Sequence, residues 1–206
     1  RMQYLSIVSQ EMQRLKILIS SMLNLTKFDN GTIEIHYQLF PIQDLAFRTI
    51  LMFESRLEKR NITLEGLDSE PVQVWGDPDL IGQVIYNLFE NATKFVNTGG
   101  TITFTFKDEP NSTSIAIRNT GAGISKEELP KIFERFYKSD DSRSHDKTGL
   151  GIGLDITKHI VRLHKAQISV SSEEGEYTEF LIRLPKKDAP AESPTENPEK
   201  QPKDAR

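Results

Sequence analysis

Four side chains between residues 87 and 94 could handle a phosphate and its metal. Asn87, Glu90, Asn91 and Lys94 stand at i, i+3, i+4 and i+7, a spacing that puts them on one stripe of a helix. Amide and carboxylate oxygens suit Mg²⁺, and a lysine suits phosphate. Asn is a mediocre helix former, roughly 0.5 kcal/mol worse than Ala, so two of them in a helix interior suggest a site. Taken alone, the stripe fits a solvated helix face equally well.

Two glycine clusters could serve the same chemistry. Thr120-Gly121-Ala122-Gly123-Ile124 directly follows a β-patterned run, and Gly149-Leu150-Gly151-Ile152-Gly153-Leu154 opens a helical one. Glycine lets backbone approach a phosphate or a flat ring, and a helix start offers free N–H groups to an anion. The second cluster reads G-x-G-x-G and follows a loop, which is neither the dinucleotide fingerprint nor a Walker A motif. Either cluster alone is also compatible with an ordinary turn. Between them lie the aromatic run Pro130-Lys131-Ile132-Phe133-Glu134-Arg135-Phe136-Tyr137, read as a short helix, and a polar, aperiodic loop over 138–148.

The elements that must position these residues are legible from periodicity. Asp77 can cap, and Pro78 can open, a helix through Phe95 whose buried face is Leu80, Ile81, Val84, Ile85, Leu88 and Phe89. A helix from Pro41 to about Arg60 turns Leu45, Ile50, Leu51, Phe53 and Leu57 inward. The stretch 32–40 reads as a short, β-leaning linker, and Asn61–Leu67 and Pro71–Trp75 as two strands joined by a polar turn. Thr101–Lys107 and Thr113–Asn119 form a hairpin with Ile102, Phe104, Phe106, Ile115 and Ile117 inward. Ser125, with Glu128 three residues on, matches a capping box for a short helix. Gly153 leads a helix to about Leu163, and Gln167–Ser171 and Tyr177–Leu184 are the last strands. This order predicts an α/β fold, a two-layer sandwich with a mixed, largely antiparallel sheet and three main helices.

Upstream, Leu5, Val8, Met12, Leu15, Ile19 and Met22 form an a/d heptad seam, widened by Ile7, Leu18, Leu23 and Leu25. The pattern predicts one long bundle helix over residues 2–28, ended by Asn30-Gly31. At the other end, residues 186–206 hold four prolines and ten charged residues with no apolar side chain larger than alanine. Such a tail cannot bury enough surface to offset its ordering entropy and reads as disordered. The expected division is a partial bundle domain at 1–31, a catalytic domain with its linker at 32–185, and the tail.

Composition narrows the function. The 206 residues carry a net charge of −4 and no cysteine, which gives no electrostatic case for nucleic acid and leaves no disulfide or thiolate metal site. The four histidines, His36, His145, His159 and His164, show no metal-ligand spacing. The start at Arg1, in mid-pattern, reads as a fragment of a longer protein.

The order of the motifs carries a resemblance. Asn87-Leu88-Phe89-Glu90-Asn91-Ala92-Thr93-Lys94-Phe95 resembles the N box of the catalytic ATP-binding domain of sensor histidine kinases, in the superfamily shared with gyrase-type ATPases. Asn119 to Ile124 resembles its G1 box, Ile132 to Tyr137 its F box, and Thr148 to Leu154 its G2 box. The helix ending Asn24-Leu25-Thr26-Lys27-Phe28-Asp29 resembles the second helix of the kinases' dimerisation and phosphoacceptor domain. The resemblance implies ATP and Mg²⁺ as cofactors. It implies Asn91 as metal ligand, Asn87 as support for metal or phosphates, Lys94 on phosphate and Glu90 as the base assisting transfer. Gly121 and Gly123 would pass close to adenine, with Asn119 at its amino group, Tyr137 near the base and Thr178 behind the adenine pocket. Arg135 or Lys138 would reach phosphate, and Gly149, Gly151 and Gly153 would wrap the phosphates beneath a lid at 138–148. The implied partners are a phosphoacceptor-histidine helix of the same protein, a response regulator and a second copy joined through the bundle helix. The implied place is the cytoplasmic portion of a membrane-anchored bacterial sensor.

Three departures from the family pattern stand out. The usual G1 aspartate is Asn119, whose amide oxygen can accept the same bond without charge, for an expected loss of about 1 kcal/mol. Lys165-Ala166 replaces the Gly-Gly often seen after the G2 helix. No histidine sits in an H-E/D-x-x-T-P phosphoacceptor setting, so the receiving histidine is expected on an upstream helix, and the fragment is not expected to phosphorylate itself. Two other functions fit: a degenerate nucleotide-binding or dimerisation scaffold, and a serine kinase of the same superfamily.

Overall fold

The computed structural model describes residues 33–138 and 151–187, together with Met12 and Ile19. The bundle helix expected over 2–28 therefore lies outside the described residues except at those two seam positions, which are helical and exposed. Residues 139–150, including His145 and Gly149, and the tail from 188 also lie outside them.

The chain runs β1 (Gln38–Pro41), α1 (Ile42–Lys59), β2 (Thr63–Glu65), β3 (Gln73–Gly76), α2 (Pro78–Phe95), β4 (Thr101–Asp108), β5 (Ser112–Thr120), α3 (Gly153–Leu163), β6 (Gln167–Glu173) and β7 (Tyr177–Pro185). Five strands form one sheet in the order β2-β4-β5-β7-β6. Only the β2–β4 pair is parallel; the other three are antiparallel. The helices cover one face, giving the expected open two-layer sandwich.

The core is where periodicity placed it. Alternation along β4 buries Ile102, Phe104 and Phe106, and α2 buries all six expected apolar residues. Aromatic rings join the layers: Phe53 of α1 meets Phe89 of α2 edge-on at 5.3 Å between centroids, and Phe89 meets Phe104 of β4 at 5.4 Å. Such pairs add roughly 0.5–1.5 kcal/mol each beyond the area they bury.

Four expectations are corrected. The strands before α2 do not pair with each other. β2 joins the main sheet beside β4, whereas β3 pairs antiparallel with β1 in a separate two-stranded sheet. Residues 38–40, read as part of a β-leaning linker, supply that partner strand together with Pro41, read as the helix start. The reason is Gln43, 5% exposed, whose amide accepts from Val72 N at 2.9 Å and donates to Glu70 O at 2.8 Å. It fills the turn that a hairpin would have closed. Leu51, expected inside, is 68% exposed; Ala46, Thr49 and Phe53 hold the inward stripe of α1. Finally, neither Ser125–Leu129 nor the aromatic run is an α-helix. Both are successive turns, with bonds such as Glu134 N to Lys131 O at 2.8 Å. Ser125 donates its hydroxyl to the Glu128 carboxylate at 3.1 Å instead of capping the backbone.

Candidate nucleotide site

α2 and α3 pack antiparallel, and this places the polar stripe. Asp77 caps α2, accepting from Asp79 N and Leu80 N at 3.0 and 3.2 Å, with Pro78 in the first turn. The Asp77 N–H donates to Nε2 of His164, just past the end of α3, at 3.1 Å. The other ring nitrogen meets Ile160 O at 2.8 Å, so the imidazole is neutral with its proton on Nδ1. Burial pushes its pKa below the ordinary histidine value, although the Ile160 carbonyl and Asp77 act against this. Asp77 also accepts from His36 N at 2.9 Å. Tyr37 stacks on Trp75 at 5.7 Å and meets His164 edge-on at 5.5 Å. One joint thus ties residues 36–37 to the start of α2 and the end of α3.

The opposite ends of the two helices meet at the stripe. Asn87 is 5% exposed; its amide donates to Gly153 O at 3.0 Å and reaches Thr157 Oγ1 at 3.4 Å. Thr157 in turn donates to Gly153 O at 2.9 Å. Asn87 therefore braces α2 against the glycine-rich start of α3. One turn on, Glu90 and Lys94 are half-buried and paired at 3.6 Å, with half-buried Asn91 on the same stripe. The Asn91 side chain makes no hydrogen bond among the described residues. It offers a neutral hard oxygen, which fits a magnesium ion completing its shell with phosphate oxygens and water.

The sheet supplies the other wall. Asn119, at the end of β5, lies opposite Thr178 of β7, and both are buried. Thr178 lies opposite Ser172 of β6. Cross-strand partners share a face, so Asn119, Thr178 and Ser172 form one polar row beyond the apolar row of Ile117, Phe180 and Val170. Asn119 Nδ2 donates to Thr120 O at 3.1 Å. The Thr178 and Ser172 hydroxyls are 3.0 Å apart.

The glycines have local causes. Gly121 has φ +156°, and a Cβ there would collide with the Phe95 carbonyl at the end of α2. Gly123 has φ +73°, and a Cβ would collide with Glu173 O and lie 2.8 Å from Glu174 Cα. In both places the fold alone requires glycine. Gly151 accepts from Phe136 N at 2.9 Å, and Gly153 is the acceptor for Asn87.

The aromatic turns lie against α3. Phe133 meets Phe180 edge-on at 6.3 Å. Arg135, expected near phosphate, donates from Nε to the buried Asp155 at 2.8 Å. Tyr137 donates to Glu128 at 3.3 Å, and Lys138 is half-buried. Sequence reading missed Thr157, Asp155 and Ser172. Only Ser172 had a signal: Ile168 and Val170 alternate inward, and the next inward position is polar.

The comparisons agree with this architecture. Residues 76–188 match the family described as histidine kinase-, DNA gyrase B- and HSP90-like ATPase. The chain belongs to that family. Within it, the likeness is to sensor histidine kinases. The chain is 33% identical over 183 residues to the sensor protein SrrB of Staphylococcus aureus, covering 88% of this chain and 31% of that protein. It thus spans about a third of the length of the curated relatives it matches. The catalytic domain of histidine kinase ThkA superposes with a TM-score of 0.61 at 27% identity, covering 73% of this chain and 97% of that one. ThkA in complex with the response regulator TrrA gives a TM-score of 0.64 at 24% identity, covering 89% and 50%.

Proposed function

We propose that this chain is the catalytic part of a sensor histidine kinase, binding ATP with Mg²⁺ between α2, α3 and the Asn119–Thr178 end of the sheet. The observation that carries the reading is the Asn87 bridge to Gly153. It sets a stripe of amide, carboxylate and ammonium groups against a glycine-rich helix start.

In this reading Asn91 holds the metal, and Mg²⁺ when bound neutralises charge on the phosphates. Lys94 turns from Glu90 to the phosphates. Arg135 and Lys138 lie within a few residues of the same end, and Gly149, Gly151 and Gly153 enclose the chain of phosphates. Asn119, Gly121, Gly123, Thr178 and Tyr137 surround the base. Glu90 accepts the proton as a histidine nitrogen attacks the γ-phosphorus and ADP leaves. The protein mainly positions groups and balances charge, as phosphoryl transfer requires.

The receiving histidine belongs to a helix not in this chain, and the phosphoryl group passes on to a response-regulator aspartate. The N-terminal heptad seam joins two copies in a membrane-anchored sensor whose catalytic part is cytoplasmic. Among the described residues no helix is long and apolar enough to cross a membrane.

Calorimetry with ATP, with and without Mg²⁺, tests the reading on the chain as it stands. Binding strengthened by Mg²⁺ is expected, with the Mg²⁺ dependence lost in Asn91→Ala. An unchanged Mg²⁺ dependence removes Asn91 as ligand. The second reading, a degenerate scaffold, has one observation in its favour: Gly121 and Gly123 are required by the fold without any nucleotide. No ATP binding at millimolar concentration would favour it over the first reading.

A further inference from the structure

The direction of the hydrogens in the polar row can be followed donor by donor. Ser172 Oγ has one hydrogen, and it goes to Tyr177 O at 2.6 Å. The same oxygen accepts from Ile124 N at 2.8 Å. With its hydrogen committed, Ser172 can meet Thr178 Oγ1 at 3.0 Å only as acceptor, so Thr178 is the donor there. The Thr178 hydroxyl thus spends its only hydrogen on the protein and keeps its lone pairs for whatever lies beside it. Asn119 is held in a matching sense. Its Nδ2 is turned to Thr120 O and lies 3.4 Å from where a Gly121 Cβ would stand, which sets the amide oxygen on the other arm.

We propose that Ser172 is a specificity-determining positioning residue: by taking the Thr178 hydrogen, it leaves Thr178 an acceptor beside the Asn119 amide oxygen, a pair that favours an amino group over a carbonyl at the edge of a bound purine. This rests on the nucleotide site proposed above and goes further, because it assigns discrimination to a residue that need not touch the base. Ser172 is suited to the task. It joins the Gly123-Ile124 turn, the β6–β7 hairpin and Thr178 through one oxygen, so the direction of the wall and the position of the turn are set together. The wall is also uncharged. Its preference comes from which atoms carry hydrogens: a 6-oxo purine, placed as adenine would be, sets its O6 against an acceptor oxygen and keeps only N1–H as a donor on that edge.

The test compares ATP with inosine triphosphate, whose base carries a carbonyl oxygen in place of the adenine amine. Dissociation constants for both are measured by calorimetry with Mg²⁺ for the natural chain, Ser172→Ala and Ser172→Thr, with melting curves alongside. The natural chain is expected to prefer ATP by roughly tenfold or more, since a buried polar mismatch discriminates strongly. Ser172→Ala frees the Thr178 hydroxyl to rotate and donate, so the ratio narrows; Ser172→Thr, which keeps the hydroxyl, restores it. If Ser172→Ala does not fold, Thr178→Val removes the same lone pairs and leaves Ser172 bonded to Tyr177 and Ile124; the ratio narrows there too. Equal binding of both nucleotides by the natural chain, or an unchanged ratio in a folded Ser172→Ala or in Thr178→Val, overturns the proposal and leaves the ATP site standing. Absence of binding by either nucleotide overturns both.

Discussion

In the nucleotide site proposed above, Asn119 is the residue that would set how tightly a base is held. An aspartate there would gain charge but lose the Nδ2 donation to Thr120 O, and its carboxylate would face that carbonyl in a buried place. Binding and folding should therefore move in opposite directions. Asn119→Asp is expected to bind ATP several-fold more tightly, since bonds to charged acceptors are the stronger ones. It should also lower unfolding free energy by about 1–2 kcal/mol. Calorimetry and urea denaturation of the same variant check both signs. Legibility at this scale was uneven. Asn87, Glu90, Asn91 and Lys94 were found because helical spacing alone puts them on a stripe. Ser172 and Asp155 were not, because their partners, Thr178 and Arg135, are set by sheet register and by a turn that periodicity does not encode.

Among the elements, the end of α2 shows how a short-range pattern depends on a distant residue. Its last carbonyls would be orphaned. The Arg60 guanidinium, from just past α1, donates to Thr93 O at 2.7 Å and also reaches Lys94 O and Val96 O. A cation there also opposes the negative end of the helix dipole. Arg60→Ala should cost about 2–3 kcal/mol, as expected for charge-assisted bonds to partly buried carbonyls. Arg60→Lys should recover only part of it, because an ammonium cannot fork across three acceptors. Urea unfolding of the two variants measures this. The boundaries of α1, α2 and α3 were readable from caps and apolar spacing. The separate pairing of β2 and β3 was not, since it depends on Gln43 filling a turn some 27 residues away. The aromatic run looked helical by composition, yet its backbone closes into turns that seat Phe133 on Phe180.

For the whole molecule, the joint at His164 makes stability depend on pH. The folded-state pKa is depressed by burial, so the neutral ring is favoured when folded and the unfolded chain binds the proton more readily. Its contribution is fully present above the ordinary value of about 6.5. It is lost progressively as pH falls from there through the lowered folded value. Urea unfolding at pH 7.5 and pH 5.5 should show a drop for the natural chain, and His164→Gln should remove most of that difference. An equal drop in the variant would place the acid sensitivity elsewhere. The same joint explains why the folded unit is larger than the family match. Residues 36–41 and α1 lie before position 76, yet they supply a strand, the Tyr37 cover on His164 and the Phe53 contact with Phe89.

The glycines of the G1 turn carry a longer consequence. Gly121 and Gly123 are held in place by the Phe95 and Glu173 carbonyls of the protein itself. A descendant that stopped using nucleotide would therefore remain under selection to keep both, because any side chain there would break the fold before it affected catalysis. The amides of the α2 stripe have no such protection where they face outward. In a lineage losing its chemistry, Asn91 should drift first and the glycines last, so the signature most easily noticed in a sequence is the slowest to report that an activity has gone.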